Sequence, residues 1–308
     1  MTPTPIILDC DPGHDDAIAI LLALASPELE LRAVTTVSGN QTLDKTTNNA
    51  LRVLELAGRS DIPVYAGADA PFVRQRDVAA HVHGESGLDG PDLPEPSERA
   101  QDEHAVEYLA RQYRTDGKPV LVATGPLTNV GLLFATHPDA RPERIILMGG
   151  SIGEGNRTPA AEFNIWADPE AAQRVFQEAL DTTMVGLDVT HHALIKDEDT
   201  GRMRSAGRVG EVVAELMDFY ARFHKRRYPE LDGSPMHDPV CIAHLIDPAL
   251  VDVRDAFIEV DCTTGPSWGR TNVDWRGREH FGPPNAKVGL GIDGARFAEL
   301  VVERISAL

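Results

Sequence analysis

Short apolar runs alternate with helical periodicity along this chain, and that alternation narrows the folds open to it. Residues 5–9, 31–36, 120–123 and 145–148 read as buried strands. Helical patterns follow at residues 15–25, 43–56, 127–135 and 169–180. Strands that are apolar throughout are covered on both faces, as in a parallel sheet between helix layers. The expected fold is therefore α/β, one domain over residues 1–308, with a mostly parallel central sheet flanked by helices. No composition shift, Ser/Gly linker or internal repeat divides it. Further helices are expected over residues 209–227, from near Asp238, and over residues 295–305. Residues 69–99 and 149–163 read as long loops, which in a compact domain are functional or disordered.

The first strand runs straight into Asp9-Cys-Asp11-Pro-Gly-His-Asp15-Asp16. Ligands of open α/β sheets bind beyond the carboxyl ends of strands, and four carboxylates sit there within eight residues. Crowded carboxylates repel and raise one another's pKa values. A divalent cation relieves that conflict, and hard oxygen ligands suit Ca²⁺ or Mg²⁺. The bland alternative is turn chemistry, with Asp15 and Asp16 favouring the first turn of a helix. An EF-hand fails, because the twelfth position from Asp9 is Ile20.

Two familiar motifs are decoys. Gly149-Gly-Ser-Ile-Gly153 matches a nucleophile elbow, but the following Glu-Gly-Asn-Arg-Thr-Pro cannot open the helix an elbow needs. Gly289-Leu-Gly-Ile-Asp-Gly294 matches a dinucleotide fingerprint but is followed by too little chain for its acidic partner. The formal net charge of -19 disfavours nucleic-acid polymers and anionic lipid. Cys10, Cys241 and Cys262 form neither a disulfide framework nor a CxxC pair. The apolar run at residues 18–25 is too short to span a bilayer, so the expectation is a cytoplasmic protein with no membrane partner.

Several blocks, in order, resemble the inosine-uridine preferring nucleoside hydrolase family. They are the Asp-rich segment at residues 7–17, Thr35-Thr-Val-Ser-Gly-Asn40, His81-Val-His83-Gly-Glu-Ser-Gly87, and Thr124-Gly-Pro-Leu-Thr-Asn129. Met148-Gly-Gly150, Glu162-Phe-Asn164-Ile-Trp-Ala-Asp168-Pro-Glu and Met236-His-Asp238-Pro continue the series over nearly the whole chain. The resemblance implies the nucleoside hydrolase fold with a Rossmann-like core, and hydrolysis of the N-glycosidic bond of ribonucleosides to ribose and free base. It implies Ca²⁺ held by Asp11, Asp16, Asp238 and the Thr124 carbonyl, with water activated by Asp11. Asp15 and Asn164 would bind the ribose diol, and Asn156 and Glu162 the 5′-hydroxyl end. Asn40 would lie beside Asp11 and the sugar, and His83 and His237 beside the base, with His237 assisting its protonation. A homodimer or homotetramer is also implied.

These roles agree with chemistry: carboxylates plus a carbonyl suit Ca²⁺, and bound cations acidify water. Glycoside hydrolysis passes through an oxocarbenium-like state that acids stabilise. Each residue also has a bland reading. Asp238-Pro239 and Asp168-Pro169 fit helix caps, and Asp168 is read as one. His83 fits a solvated loop, and His191, His192 and His244 are read as structural. The base side departs most from the pattern: in Phe219-Tyr-Ala-Arg-Phe-His224-Lys-Arg-Arg-Tyr228 either His224 or Tyr228 can reach the base, which leaves purine or pyrimidine preference open. Trp268 and Trp275 are read as packing. The rivals are a haloacid-dehalogenase-like Mg²⁺ phosphohydrolase using Asp9 and Asp11, for which Pro12-Gly13 is the wrong continuation, an acyl-transfer hydrolase through Ser151, and a non-catalytic calcium-linked nucleoside-binding protein.

Overall fold

The structure, a computed structural model, describes residues 2–115, 117–277 and 282–308. Its strands are β1 (Thr4–Cys10), β2 (Leu29–Thr36), β3 (Val64–Ala66), β4 (Val120–Ala123), β5 (Arg144–Met148), β6 (Asp181–Val185), β7 (Leu194–Ile195), β8 (Ser234–Pro235), β9 (Val251–Val260), β10 (Thr271–Asp274) and β11 (Ala286–Ile292). Its α-helices are α1 (His14–Ala25), α2 (Leu43–Leu56), α3 (Ala80–His83), α4 (Ala105–Gln112), α5 (Thr128–Thr136), α6 (Phe163–Ala167), α7 (Pro169–Gln177), α8 (Leu187–Thr190), α9 (Asp197–Arg204), α10 (Arg208–Arg227), α11 (Pro239–Ile246) and α12 (Gly294–Ile305).

Nine strands form one sheet in the order β10-β9-β11-β6-β5-β4-β1-β2-β3. The run from β3 to β11 is parallel, and β9 and β10 extend it antiparallel. β7 and β8 make a separate two-stranded ladder. The expected mostly parallel α/β sheet is therefore present. Strand pleating sends successive side chains to opposite faces. Ile6 and Leu8 join a core with α1, α10, α11 and α12. Ile7 points the other way, into a core with α4, α5 and α7. From β1 the strand order departs in two directions, toward β2 on one side and β4 on the other. Such a switch point opens a crevice at the strands' carboxyl ends, and the Asp-rich segment leaves β1 there.

The main differences from the sequence reading have physical causes. β9 buries residues mainly on one face, so it lacks the uniform apolar run that marks the parallel strands. β6 begins with Asp-Thr-Thr, which hides a buried strand behind polar letters. The helix expected over residues 169–180 stops at Gln177, just before Ala179 adopts a positive φ of 46°. Residues 69–99 and 149–163 are mostly irregular, as expected, although the first contains the single turn α3. Gly149–Gly153 opens no helix, and Gly289–Ile292 lies inside β11, so neither decoy has the geometry its motif requires.

Candidate active site

The turn from β1 into α1 organises the site. Gly13 is the N-cap, and its N–H donates to Asp16 Oδ2 at 3.0 Å. Asp16 is thus a helix cap, in keeping with the bland reading, but it does more. The Thr124 hydroxyl, from the end of β4, donates to its Oδ1 at 2.9 Å, and Asn40 Nδ2 donates to its Oδ2 at 3.2 Å. Asn40 also donates its backbone N–H to Asp11 Oδ2 at 2.6 Å and its Nδ2 to the Asp11 carbonyl at 3.2 Å. Asp11 Oδ1 is buried and has no partner. Two glycines allow the backbone this close. A Cβ on Gly39 would overlap the Asp11 carboxylate, and one on Gly125 would lie 2.7 Å from Oδ1.

Asp15, Asp16 and Asp238 each bring a carboxylate oxygen within 4.8 Å of the others, and all three are buried. Asp238 stands at the N-cap of α11 yet its side chain makes no capping bond. The cap reading therefore fails for Asp238. It holds for Asp168, whose carboxylate accepts from the Ala171 N–H at 3.1 Å. Burial pushes the pKa values of Asp11, Asp15, Asp16 and Asp238 up, and Asp15 reaches about 7. For Asp11, Asp15 and Asp238 the charge of neighbouring carboxylates adds to that rise. Unpaired buried carboxylates are costly. The orphaned Asp11 oxygen and the converging set of hard oxygen donors fit a divalent cation. The ligand set implied by the resemblance contains Asp11 where the tightest geometric group contains Asp15.

Asp9 belongs to a different network. It shares the face of Ile7, and its Oδ2 accepts from the Thr35 hydroxyl at 2.5 Å and Asn129 Nδ2 at 2.8 Å. Thr35 and Asn129 thus engage one oxygen of Asp9, the residue that the phosphohydrolase rival needs as its nucleophile.

The site residues implied by the resemblance, with His224 and Tyr228, line one cavity, save Asp11 and Asp16, which are tied to its wall through Asn40 and Thr124. Asn164 Nδ2 donates to the Thr124 carbonyl at 2.7 Å and the Met148 carbonyl at 3.1 Å, joining the ends of β4 and β5. Glu162 caps α6: its Oε1 accepts from the Asn164 N–H at 2.9 Å, its Oε2 from those of Gly150 and Ile165 at 2.9 and 3.1 Å. Burial raises its pKa to about 7 although those N–H groups oppose the rise. Asn156 Oδ1 accepts from the Phe163 N–H at 2.9 Å. Arg157 stacks on Trp166, Trp166 on Trp268, and Arg74 covers Trp268, so this late-loop tryptophan packs, as expected, against Trp166 of α6.

Histidines and aromatics line the opposite wall. His237 Nδ1 lies 2.7 Å from the Thr190 hydroxyl, and His224 Nδ1 donates to the Tyr220 carbonyl at 3.1 Å. His224 and Tyr228 both line the cavity, stacked with ring centroids 6.1 Å apart. Burial lowers the pKa of His224 to about 4, and burial plus neighbouring histidines take His83 and His237 well below 6.5. The sequence reading missed Tyr220, which lines the cavity and whose hydroxyl donates to Asp15 Oδ2 at 3.4 Å. It missed Phe223 and His14 too. The signal was available: Tyr220 and His224 share a helix face at spacing i, i+4. His191, read as structural, contacts Tyr228 and His237 with centroids 5.2 and 5.8 Å apart.

The family described as inosine-uridine preferring nucleoside hydrolase matches residues 6–299. This chain belongs to that family. The hydrolase is 53% identical over 306 residues to a protein of Shewanella sp. (strain ANA-3) named pyrimidine-specific ribonucleoside hydrolase RihA, covering 98% of this chain and 96% of that one. A RihA of Citrobacter koseri is 50% identical, with 98% of each chain covered. Among solved structures, a purine-preferring ribonucleoside hydrolase from Gardnerella vaginalis superposes with a TM-score of 0.92 at 34% identity, over 98% of each chain. As a nucleoside hydrolase the protein is an N-ribohydrolase, with its lined cavity at the sheet's switch point. No described helix is long and apolar enough to cross a membrane.

Proposed function

We propose that the protein hydrolyses pyrimidine ribonucleosides, using Ca²⁺ held by Asp11, Asp16, Asp238 and the Thr124 carbonyl, with Asp15 beside the ion. The observation that carries this reading is the convergence of three buried carboxylates, Asp15, Asp16 and Asp238, at the edge of a cavity whose far wall is histidine and tyrosine. The pyrimidine preference rests on the RihA relatives. Bound there, a dication would supply Lewis acidity toward water and a grip on vicinal hydroxyls.

The chain's own groups divide the remaining work. Asp11 is suited to take the proton of the attacking water, because Asn40 fixes one oxygen and the other is unpartnered. Asp15 and Asn164 face the sugar and hold its diol, and Glu162 and Asn156 bound the 5′ end. The acidic cluster stabilises positive charge growing on the ribosyl ring. With the Thr190 hydroxyl taken as the donor to Nδ1, His237 carries its proton on Nε2 for the departing base. Its lowered pKa makes it a neutral donor rather than an imidazolium. His83, His224 and Tyr228 complete the base wall. The reading includes one catalytic domain over residues 1–308, a cytoplasmic location, and a homodimer or homotetramer, which light scattering tests.

Ribose release from uridine, cytidine, inosine, adenosine and guanosine, with and without a calcium chelator, is the deciding experiment. Uridine and cytidine should lead, and the chelator should abolish turnover. Phosphomonoester hydrolysis with no ribose release would overturn the reading, and faster inosine turnover would overturn its pyrimidine part.

A further inference from the structure

We propose that His14 is a positioning residue for His83. Its backbone N–H sets the tautomer and its ring sets the tilt of the His83 ring, so that an Nε2–H is presented to a carbonyl acceptor on the leaving base. This deepens the pyrimidine reading above and rests on it, because uracil and cytosine both carry a carbonyl beside the glycosidic nitrogen.

The hydrogen-bond directions determine the tautomer. The backbone N–H of His14 donates to His83 Nδ1 at 3.2 Å. That nitrogen must carry a lone pair, which puts the ring's proton on Nε2. His14 Nε2 lies 2.9 Å from the Asp89 carbonyl, which only accepts, so His14 carries its own proton there. His14 Nδ1 then faces His83 Nδ1 at 3.2 Å. With its proton on Nε2, His14 offers no proton at Nδ1, so that ring contact sets position only. The backbone N–H alone makes His83 the Nε2–H form. Its Nδ1 edge is turned to the Gly13–His14 backbone, so the Nε2 edge is the one offered to the cavity.

Packing holds the arrangement. The His14 ring is fully buried and stacks on Phe219 with centroids 5.2 Å apart and planes 3° apart. His83 lies on its other neighbours, 5.4 Å from His14 and 5.8 Å from Tyr220. The bond to the Asp89 carbonyl ties down residues 84–89, the turn that follows His83, and that turn is closed by the Asp89 carboxylate accepting from the Glu85 and Ser86 N–H groups at 3.0 Å each. His14 therefore acts on His83 from two sides, through the ring and through the turn.

His14→Phe keeps the stack on Phe219 and removes both ring nitrogens. It should lower kcat/KM for uridine about 10-fold or more, the loss expected when a hydrogen bond to a charge-developing leaving group is misaligned. Hydrolysis of nitrophenyl riboside, whose leaving group needs no donor, should change little. In a His83→Ala background His14→Phe should have no further effect on uridine, since the two act as one unit. Nitrogen-15 NMR of histidine-labelled wild-type protein should show His83 protonated on Nε2. Equal losses on both substrates, a loss that persists without His83, no loss at all, or an Nδ1–H form of His83 would each overturn the proposal. Should His14→Phe fail to fold, the wild-type tautomer and His14→Gln carry the test. Failure of the wild type to release ribose from any nucleoside sinks the hydrolase reading instead, and the NMR result still decides this one.

Discussion

Calcium added to the metal-free protein at pH 7 should drive protons into solution. Burial and neighbouring carboxylates hold Asp11 and Asp238 well above the usual carboxylate range and bring Asp15 to about 7. A group with that pKa is half protonated at pH 7, and the raised values of its neighbours work in the same direction. The carboxylates titrate as a coupled set, so the total is the meaningful quantity: protons should leave as each ion binds, Asp15 alone supplying about half of one at pH 7. The apparent affinity should therefore rise with pH near neutrality, by at least about 3-fold per pH unit. The sign of the stability change follows from the same shifts. A carboxyl whose folded pKa is raised contributes stability that is fully present below its unfolded value near 4. That contribution is lost as pH climbs through about 7. The metal-free protein should weaken from pH 5 to 8, and the calcium-loaded protein should not. At an ion concentration a hundredfold above Kd the gain is about 2.7 kcal/mol. For 308 residues, with an unfolding entropy of about 0.65 kcal/mol/K, that is a rise in Tm of about 4 °C. Calorimetric titration in two buffers of different ionisation enthalpy reads the protons, and melting curves at pH 6, 7 and 8 read the stability. Calcium binding without proton release, together with a Tm gap that ignores pH, would refute the reasoning.

Three further outcomes are expected. Asp11→Asn should melt like the wild type and lose about 10²–10⁴-fold in kcat, the range of an acid–base group; circular dichroism and ribose release separate the two. Gly39→Ala drives a Cβ into the Asp11 carboxylate, so calcium affinity measured by calorimetry should fall at least about 10-fold, the equivalent of roughly 1.4 kcal/mol. Asp168→Ala removes the cap of α7 and acceptors for Thr128 and Phe72. It should cost about 1–2 kcal/mol by urea titration while leaving kcat of the folded enzyme unchanged.

Four of the parallel strands were legible, because β1, β4 and β5 bury both faces along most of their length and β2 does so over its second half; β3, β6 and β11 were not read. β9 and β10 were not, because a strand that buries one face blends into the polar surface pattern. The acidic turn could be read as a site since four carboxylates together have few other uses there. Its individual members could not be sorted from sequence. Asp16 is both cap and cluster member, Asp9 serves another network, and Asp238 occupies a capping position without capping. His14 went unassigned because its contacts with His83, Asp89 and Phe219 join segments far apart along the chain. His191 was set aside for the same reason.

The strand order has a consequence for how the enzyme comes into being. Asp11 emerges near the start of synthesis and Asp238 only after most of the sheet's strands have been made. Until α11 docks, the first three acids sit together with an incomplete shell, and a growing chain has nothing with which to capture an ion firmly. Non-local closure of this kind is slow compared with helix formation. Catalytic competence thus arrives late and all at once, so the appearance of turnover in a refolding reaction reports completion of the whole architecture.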